Sequence, residues 1–445
     1  MNTFSNACIL CGGEGGGAPS PEGRAKWVAY PDWVHGYRVA ITGIGVLTPV
    51  GSGRDGLWAG VRRGRSAVRP VSRFDPTPFR ARLAAEIDDF DPTAYMDPKR
   101  AKRLDRFSQF AVAAAKQAVD DAGLCLDDIA DQVGCSLGTA LGGVAFAEQQ
   151  HHAYLENGVA GVSPALALSV FGAAGSSNVA IELHLNGPST ANCNSCASGV
   201  MAIGDAFRLI RDGQAPAMLA GGVEAPLAPL TFGSFALIKA MSTTTDVEPH
   251  QASRPFDRQR DGFIMGEGAA MLVLERLDRA QARGAPVLAE IRGFGTTNDA
   301  HNMLAPRPDG REAARAIRLA LQDADLDARA VDYVNAHASA TPIGDRAEVC
   351  AIQTALGAHA ARVAVSGTKG LYGHPLGASG AIETAISALA IHHGFLPGTT
   401  NLERPDPDNP LRLLGPEGLA CQPRVVLNNA FGFGGINAAL VLSAL

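Results

Sequence analysis

Two cysteines lie three residues apart, Cys193 and Cys196, in the stretch GPSTANCNSCASGVMAIGDAFRLIRDG at residues 187–213. Two thiols at this spacing can chelate zinc, form a redox disulfide, or include one reactive thiol at a helix end. Apolar side chains recur every three or four positions after Cys196, which predicts a helix from Cys196 to a stop at Asp212-Gly213. A helix N-terminus favours the thiolate. Cys196 is therefore either a nucleophile or a small buried apolar residue, as most free cysteines are.

Two further stretches hold other groups that can do chemistry. NAHASATPIGDRAEV carries His337 directly after a predicted strand, and SGTKGLYGHPLGASGA carries Lys369 and His374 in a loop before an apolar helix. A single loop histidine is more often structural than catalytic, but two histidines flanked by Gly, Ala and Ser favour a functional site. Near the C-terminus, Phe431-Gly-Phe-Gly-Gly separates two strand-like runs, and this density of glycine predicts a close backbone approach to another group.

The elements that must position these residues alternate from Arg38 onward as strand, glycine-rich turn and helix. Thr48-Pro49-Val50-Gly51 follows one predicted strand, and Thr341-Pro342-Ile343-Gly344 follows another in the same way. This pattern predicts an α/β fold with helices covering the sheet faces. The similarity of the two Thr-Pro-x-Gly segments predicts two related halves, 37–285 and 286–445. In such sheets the catalytic and binding residues usually lie in the turns at strand ends.

The composition limits the classes of function. The chain has 445 residues, 46% of them apolar, which is enough to bury a large core. Its net charge of -6 provides no overall attraction to nucleic acid or to an anionic membrane. Its eight cysteines do not form a disulfide framework, and it has neither a signal-like N-terminus nor an apolar run near the roughly 20 residues of a membrane span. We expect a cytoplasmic protein that binds neither nucleic acid nor membrane.

The first 36 residues differ from the rest. The stretch CGGEGGGAPSPEGR is rich in Gly, Pro and Ser, so residues 1–36 are predicted to be a flexible N-terminal extension. It includes a second C-x-x-C pair, Cys8 and Cys11, which together with Cys193 and Cys196 makes a zinc-binding interaction protein an alternative function. One pair in a tail and one at a buried helix argue against such a site, because structural zinc sites draw on compact knuckles.

Six stretches, in order, resemble the β-ketoacyl-acyl carrier protein synthases of the elongating type I/II branch of the thiolase superfamily. They are VAITGIGVLTPVG, SCASG, SRPFDRQRDGFIMGEGAAMLVLE, NAHASATPIGD, GTKGLYGHPLGASG and NAFGFGGIN. The resemblance covers the chain from Arg38 and implies a thiolase-like five-layer αβαβα fold of two similar halves, normally a dimer. It implies decarboxylative Claisen condensation of malonyl-acyl carrier protein with a Cys-bound acyl chain, in fatty acid or polyketide elongation.

The resemblance also implies roles for individual residues. The implied catalytic residues are Cys196, His337, His374 and Lys369; the supporting residues are Glu348 and Phe433; and the substrate-binding residues are Ser339, Thr341 and Leu141. Cys196 aligns with the acyl acceptor, its amide and that of Phe433 with the oxyanion hole, and Leu141 with the far end of the acyl tunnel. No metal and no organic cofactor are implied, because the phosphopantetheine arm of an acyl carrier protein brings the substrate.

Departures from the family pattern leave alternatives open. Ala338 stands where glycine is usual, while Ser339 keeps a hydroxyl for the pantetheine, so a specialised polyketide or polyene synthase is an alternative to fatty acid synthesis. A non-catalytic chain-length-factor-like subunit is another, although such subunits lack the cysteine. The expected partners are an acyl carrier protein and an identical or ketosynthase-like second subunit. The carrier is expected to dock on one of two basic clusters: Arg62, Arg63 and Arg65, or Lys99, Arg100, Lys102, Arg103 and Arg106.

Overall fold

The computed structural model describes residues 36–445. The Cys8 and Cys11 pair, and with it the predicted flexible extension and the four-cysteine zinc site, lies outside the described residues. Residues 37–445 form one unit of alternating strands and helices. No helix in this part of the chain is long and apolar enough to cross a membrane.

The strands are numbered in chain order. They are β1 (Val39–Thr48), β2 (Gly51–Ser52), β3 (Arg69–Pro70), β4 (Leu83–Ala85), β5 (Gly134–Gly138), β6 (Ser189–Asn192), β7 (Ala217–Glu224), β8 (Met265–Gly266), β9 (Gly268–Arg276), β10 (Ala289–Asn298), β11 (Tyr333–Asn335), β12 (Ala364–Ser366), β13 (Phe395–Leu396), β14 (Arg412–Leu413), β15 (Leu419–Ala420), β16 (Val425–Gly432) and β17 (Ile436–Ser443). The longest ones are almost wholly buried.

The helices connect these strands. They are α1 (Gly53–Arg63), α2 (Pro98–Ala101), α3 (Arg106–Ala122), α4 (Val144–Asn157), α5 (Leu166–Ser169), α6 (Ala174–Leu183), α7 (Ser198–Arg211), α8 (Pro229–Leu237), α9 (Leu277–Ala282), α10 (Arg311–Asp323), α11 (Pro342–Leu356), α12 (Lys369–Tyr372) and α13 (Ser379–His393). Two short 3-10 helices, Ser195–Ala197 and Leu376–Ala378, directly precede α7 and α13.

The main sheet has two arms that repeat one pattern. Its path runs β14-β12-β11-β16-β17-β10-β1-β9-β7-β5-β6, and β1 and β10 pair at the centre. Outward from β1 come two antiparallel neighbours, β9 and β7, and then the parallel strands β5 and β6. Outward from β10 the same order gives β17 and β16, and then β11 and β12. The prediction that the chain consists of two related halves is therefore confirmed.

Helices on both faces of each arm complete five layers. On the outside, α3 packs on β1 and β9 and against α6, while α10 packs on β10 and β17 and against α11. Between the arms, α7 and α13 pack against each other and contact strands of both arms. The predicted thiolase-like five-layer αβαβα fold is confirmed.

The helix sequences fit these layers. Residues 379–391 of α13 are all buried, as expected for a central helix that is apolar all round. In α10 only one face is buried, and the other faces solvent, as an outer-layer helix requires. The predicted helix after Cys196 is α7, which begins two residues later than expected, at Ser198, and is capped by Asp212.

Candidate active site

Three turns from distant parts of the sequence bring three reactive side chains together. Cys196 lies in the 3-10 turn before α7, His337 follows β11, and His374 follows α12. The sulfur of Cys196 and one ring nitrogen of each histidine all lie within 4.8 Å of one another, and all three residues are buried. Cys193 is exposed and is not part of this group.

A strained turn presents the Cys196 thiol. Ser195 has a φ of 53°, and the Ser198 hydroxyl lies 2.7 Å from the Ser195 carbonyl and 3.0 Å from that of Thr139. The backbone N–H of Phe433 has a small lowering effect on the pKa of the Cys196 thiol. Burial raises the thiol pKa to about 11, against the smaller lowering effects of the Ser195 hydroxyl and the Lys369 charge. The prediction that the helix N-terminus favours the thiolate is wrong for the resting site, because desolvation dominates.

The two imidazoles are neutral. Burial holds the pKa of His337 and of His374 well below its usual value, and the charge of Lys369 adds to this effect. His374 Nε2 lies 3.1 Å from the Cys196 sulfur, and its Nδ1 lies 2.7 Å from the Ser379 hydroxyl. Lys369 Nζ lies 3.4 Å from Nδ1 of His337. The resting site therefore combines a protonated thiol with two uncharged rings.

Lys369 belongs to a buried ion pair behind His337. Its ammonium donates to the backbone carbonyl of His337 at 2.5 Å and to the carboxylate of Glu383 in α13. Burial raises the pKa of Glu383 to about 8, and the neighbouring Lys369 opposes this rise. Glu383 was not among the predicted site residues. Its sequence signal is one acidic residue within the apolar helix AIETAISALAI.

Two carboxylates hold the backbone of the His337 loop. Glu348 accepts hydrogen bonds from the amides of His337 at 2.8 Å and Ala338 at 2.7 Å, so it organises the loop backbone and not the imidazole itself. Asp345, which sequence reasoning missed, accepts from the amide of Ala340 at 3.0 Å. Ala338 and Ala340 both have positive φ, 37° and 67°. These bonds keep non-glycine residues in a left-handed conformation that costs energy.

Glu224, at the end of β7, is a third carboxylate that sequence reasoning missed. Its oxygens accept hydrogen bonds from the amides of Ala140 at 2.6 Å, Leu141 at 3.1 Å and Gly377 at 2.9 Å. It therefore fastens the turn after β5 to the turn that follows His374. Burial raises its pKa to about 7 although these amides favour the carboxylate.

A cavity of about 300 Å³ opens onto the reactive group. The predicted site residues that line it are Cys196, His337, His374, Glu348, Phe433, Ser339 and Thr341. The Ser339 and Thr341 hydroxyls lie 3.0 Å apart. Lys369 and Leu141 do not line the cavity. Leu141 lies half-buried against the apolar cluster that contains Cys196 and Phe232.

Family models match both halves of the chain. The β-ketoacyl synthase N-terminal domain matches residues 37–280, and the C-terminal domain matches residues 288–403. The chain belongs to the β-ketoacyl synthase family. The 3-oxoacyl-[acyl-carrier-protein] synthase 2 of Synechocystis sp. is 44% identical over 404 residues, which cover 91% of this chain and 97% of that protein.

Solved structures of the family have the same fold. One is a type II PKS acyl-carrier protein in complex with its ketosynthase bound to the hexaketide; it is 30% identical, has a TM-score of 0.86, and the match covers 92% of this chain and 100% of that one. Another is the ishigamide ketosynthase/chain length factor, 36% identical with a TM-score of 0.86 and the same coverage.

Proposed function

We propose that this β-ketoacyl synthase elongates an acyl chain held on Cys196 by decarboxylative condensation with malonyl-acyl carrier protein. The observation that carries the proposal is the convergence of one thiol and two neutral imidazoles at a cavity of about 300 Å³. The curated relative named 3-oxoacyl-[acyl-carrier-protein] synthase 2 supports the same reaction.

In the first half-reaction, the Cys196 sulfur attacks the thioester carbonyl of an acyl-carrier. A carbon-sulfur bond forms, the carbonyl oxygen becomes an oxyanion, and the amides of Cys196 and Phe433 donate to it. The intermediate collapses with release of the pantetheine thiol, which takes up the proton that Cys196 loses. Oxyanion donors of this kind each contribute about 100- to 1000-fold in rate.

In the second half-reaction, malonyl-carrier enters the same cavity. The ring N–H groups of His337 and His374 donate to its thioester oxygen, so that the bond to the carboxylate breaks, carbon dioxide leaves and the electron pair forms an enolate. The enolate carbon attacks the Cys196 thioester. The cysteine sulfur departs, is reprotonated, and the β-ketoacyl-carrier is released.

We propose that the reaction uses no metal and no organic cofactor. Both substrates arrive on the phosphopantetheine arm, and the hydroxyls of Ser339 and Thr341 in the cavity wall are available to bind its amide groups. A metal ion bound by Cys196, His337 and His374 would occupy the sulfur and ring nitrogens that the condensation requires.

The acyl carrier protein needs a basic surface on which to dock, and we propose that this surface is the segment around α2. Arg62 stacks on the ring of Phe395 at 3.6 Å, and Arg63 donates to the backbone carbonyl of Val50. Arg100 and Arg106 are held by ion pairs with buried or half-buried carboxylates. The remaining members of the second cluster are exposed and make no ion pair among the described residues: Lys99, Lys102 and Arg103.

Charge reversal tests this docking surface. In Lys102→Glu/Arg103→Glu we expect a higher KM for carrier-bound substrates at low salt, a smaller rise of KM with salt than in the parent, and an unchanged kcat, because long-range attraction is lost while the site is intact. Arg65→Glu, an exposed reversal in the other cluster, is the matched control. The proposal fails if Arg65→Glu raises KM and the double variant does not.

The second subunit is proposed to be a second copy of this chain. Strand β6 is an edge of the main sheet, and Ser189, Thr190 and Ala191 are exposed on it. Exposed apolar side chains also occur after β5, at Leu155, Val159 and Leu168. An open edge with apolar surface is a template for pairing with another chain. Light scattering on the purified chain should give the mass of a dimer; a monomer that becomes a dimer only with a co-expressed ketosynthase-like subunit would indicate a heterodimer.

Separation of the two half-reactions tests the catalytic roles. Cys196→Gln removes the nucleophile and leaves both imidazoles, so condensation should stop while malonyl-carrier is still decarboxylated. His374→Ala keeps the thiol, so acyl-enzyme should still form at a reduced rate, but decarboxylation should fall about 100-fold or more because one donor is lost.

Two assays on both variants read this out. Intact mass spectrometry measures the acyl-enzyme, and release of labelled carbon dioxide measures decarboxylation. The roles are wrong if Cys196→Gln loses decarboxylation while His374→Ala retains it. A panel of acyl-carriers offered to the parent protein, with products identified by mass spectrometry, then distinguishes fatty acid from polyketide substrates.

A further inference from the structure

The two imidazoles of the site differ in how their protons are placed. A neutral imidazole has one N–H, and the partner of one ring nitrogen decides which nitrogen carries the proton. Nδ1 of His337 faces the ammonium of Lys369, which is a donor and has no lone pair to offer. Nδ1 therefore accepts, and the proton of His337 lies on Nε2.

His374 has a different partner. Its Nδ1 lies 2.7 Å from the hydroxyl of Ser379, which can either donate or accept. This contact is the one hydrogen bond that the Ser379 hydroxyl makes among the described residues, and both residues are buried. If Nδ1 of His374 carried the proton, the hydroxyl proton of Ser379 would be left without an acceptor, which is unfavourable in a buried site.

The Ser379 hydroxyl is not needed to start its helix. Ser379 is the first residue of α13, Ala378 occupies the N-cap position, and no side chain caps this helix end. A serine at the start of a helix ordinarily uses its hydroxyl on backbone N–H groups. Here the hydroxyl is directed to the ring of His374.

We propose that Ser379 is a positioning residue whose hydroxyl donates to Nδ1 of His374 and so keeps the His374 proton on Nε2. That nitrogen lies 3.1 Å from the Cys196 sulfur, at the cavity. Both histidines then present an N–H to the thioester oxygen of malonyl-carrier. This inference rests on the proposed function, because the donor state matters only if an oxygen charge develops at this place.

A kinetic test uses the Cys196→Gln protein, in which decarboxylation is measured without condensation. Ser379→Ala in this background should lower the decarboxylation rate by about three- to tenfold, the factor expected when one biasing hydrogen bond is lost. Ser379→Thr keeps a hydroxyl and should restore most of the rate. Ser176→Ala is the matched control, since Ser176 is a buried serine whose hydroxyl donates, among the described residues, only to the carbonyl of Ala173 at the start of α6.

A spectroscopic test reads the tautomer directly. In protein labelled with 15N-histidine, the signals of His374, assigned by their loss in His374→Ala, should show Nε2 protonated and Nδ1 unprotonated. Ser379→Ala should shift them towards a mixture of the two tautomers, a change that a purely structural serine would not produce.

The outcomes separate this inference from the proposed function. Protonated Nδ1 on His374 in the parent protein overturns the inference, whatever the Ser379 variants do. So does an unchanged decarboxylation rate in Ser379→Ala. If Cys196→Gln with Ser379 intact does not decarboxylate malonyl-carrier, the proposed function is wrong, and the 15N signals still decide whether Ser379 sets the tautomer.

Discussion

Gly377 lies where the turns of the active site meet, and replacing it tests how rigidly they are packed. A Cβ atom at this position would lie 2.4 Å from the amide nitrogen of Ala140 and 2.6 Å from the carbonyl carbon of Thr139. It would also lie 2.8 Å from the carboxylate of Glu224. Two of these neighbours are backbone atoms, which cannot rotate away as a side chain can. Gly377→Ala must therefore displace a turn.

The size of the effect follows from where the turn can move. Overpacking of this kind destabilises a protein by about 1–3 kcal/mol. Gly377 follows His374 by three residues, so relaxation of its turn moves His374 away from the Cys196 sulfur, now 3.1 Å distant. A misplacement near 1 Å at a reacting group costs about 100-fold in rate. We expect Gly377→Ala to fold, with both half-reactions slowed by about that factor.

The assay compares two glycine-to-alanine variants. Gly56 lies inside α1, and a Cβ atom there would find its nearest neighbour at 3.5 Å, an ordinary contact. Gly56→Ala should leave both rates unchanged and gain about 0.5–1 kcal/mol in the free energy of unfolding, because alanine favours a helix. Acylation is followed by intact mass and unfolding by urea titration. Parental rates and stability in Gly377→Ala would refute the argument that these turns are packed backbone on backbone.

Three further predictions concern the pocket, the buried carboxyls and the thiols. Leu141→Phe should shorten the preferred acyl chain, since one methylene of room is worth about 1–3 kcal/mol in selectivity; an unchanged product profile would place the tunnel end elsewhere. Burial raises the pKa of Asp105 to about 7, so the stability that this group contributes at low pH is lost as the pH rises from about 4 to about 7. Asp105→Asn, which keeps a good cap for α3, should therefore gain stability relative to the parent over that range in urea titrations, and a constant difference would contradict the shift. Peptide mapping should find a simple alkylating reagent on the exposed Cys193 and the ketosynthase inhibitor cerulenin on Cys196; cerulenin on Cys193 alone would overturn the nucleophile assignment.

The sequence was sufficient to predict the fold and the reactive group. Each of Cys196, His337 and His374 lies in a turn rich in small residues, and such turns gather at strand ends in α/β sheets. The similar sequences at Thr48–Gly51 and Thr341–Gly344 indicated the structural repeat that is seen in the two arms of the main sheet. These local patterns predicted an α/β fold with two related halves, and the resemblance to the β-ketoacyl synthases implied the five layers and the grouping of the three residues.

The supporting carboxylates could not be predicted in the same way. Glu224 acts on amides that lie 84 residues before it and 153 residues after it. In the sequence Glu383 is only a single acidic residue in an apolar helix, and its role becomes visible when the structure places Lys369 beside it. The prediction that the helix N-terminus favours the Cys196 thiolate was wrong for a related reason. A helix N-terminus is visible in the sequence, whereas the complete burial that outweighs it is a property of the assembled layers.

The distribution of charge in the site suits the proposed chemistry. Among the described residues at the reactive group, the ion pair of Lys369 and Glu383 lies behind His337 and does not line the cavity. The groups that line it at Cys196 and His374 are neutral in the resting site. Negative charge appears on a substrate oxygen twice during the reaction, each time briefly. Fixed N–H donors stabilise such a charge without first having to release a counter-ion, so the neutral thiol and imidazoles favour the two transition states over an anion that enters the cavity.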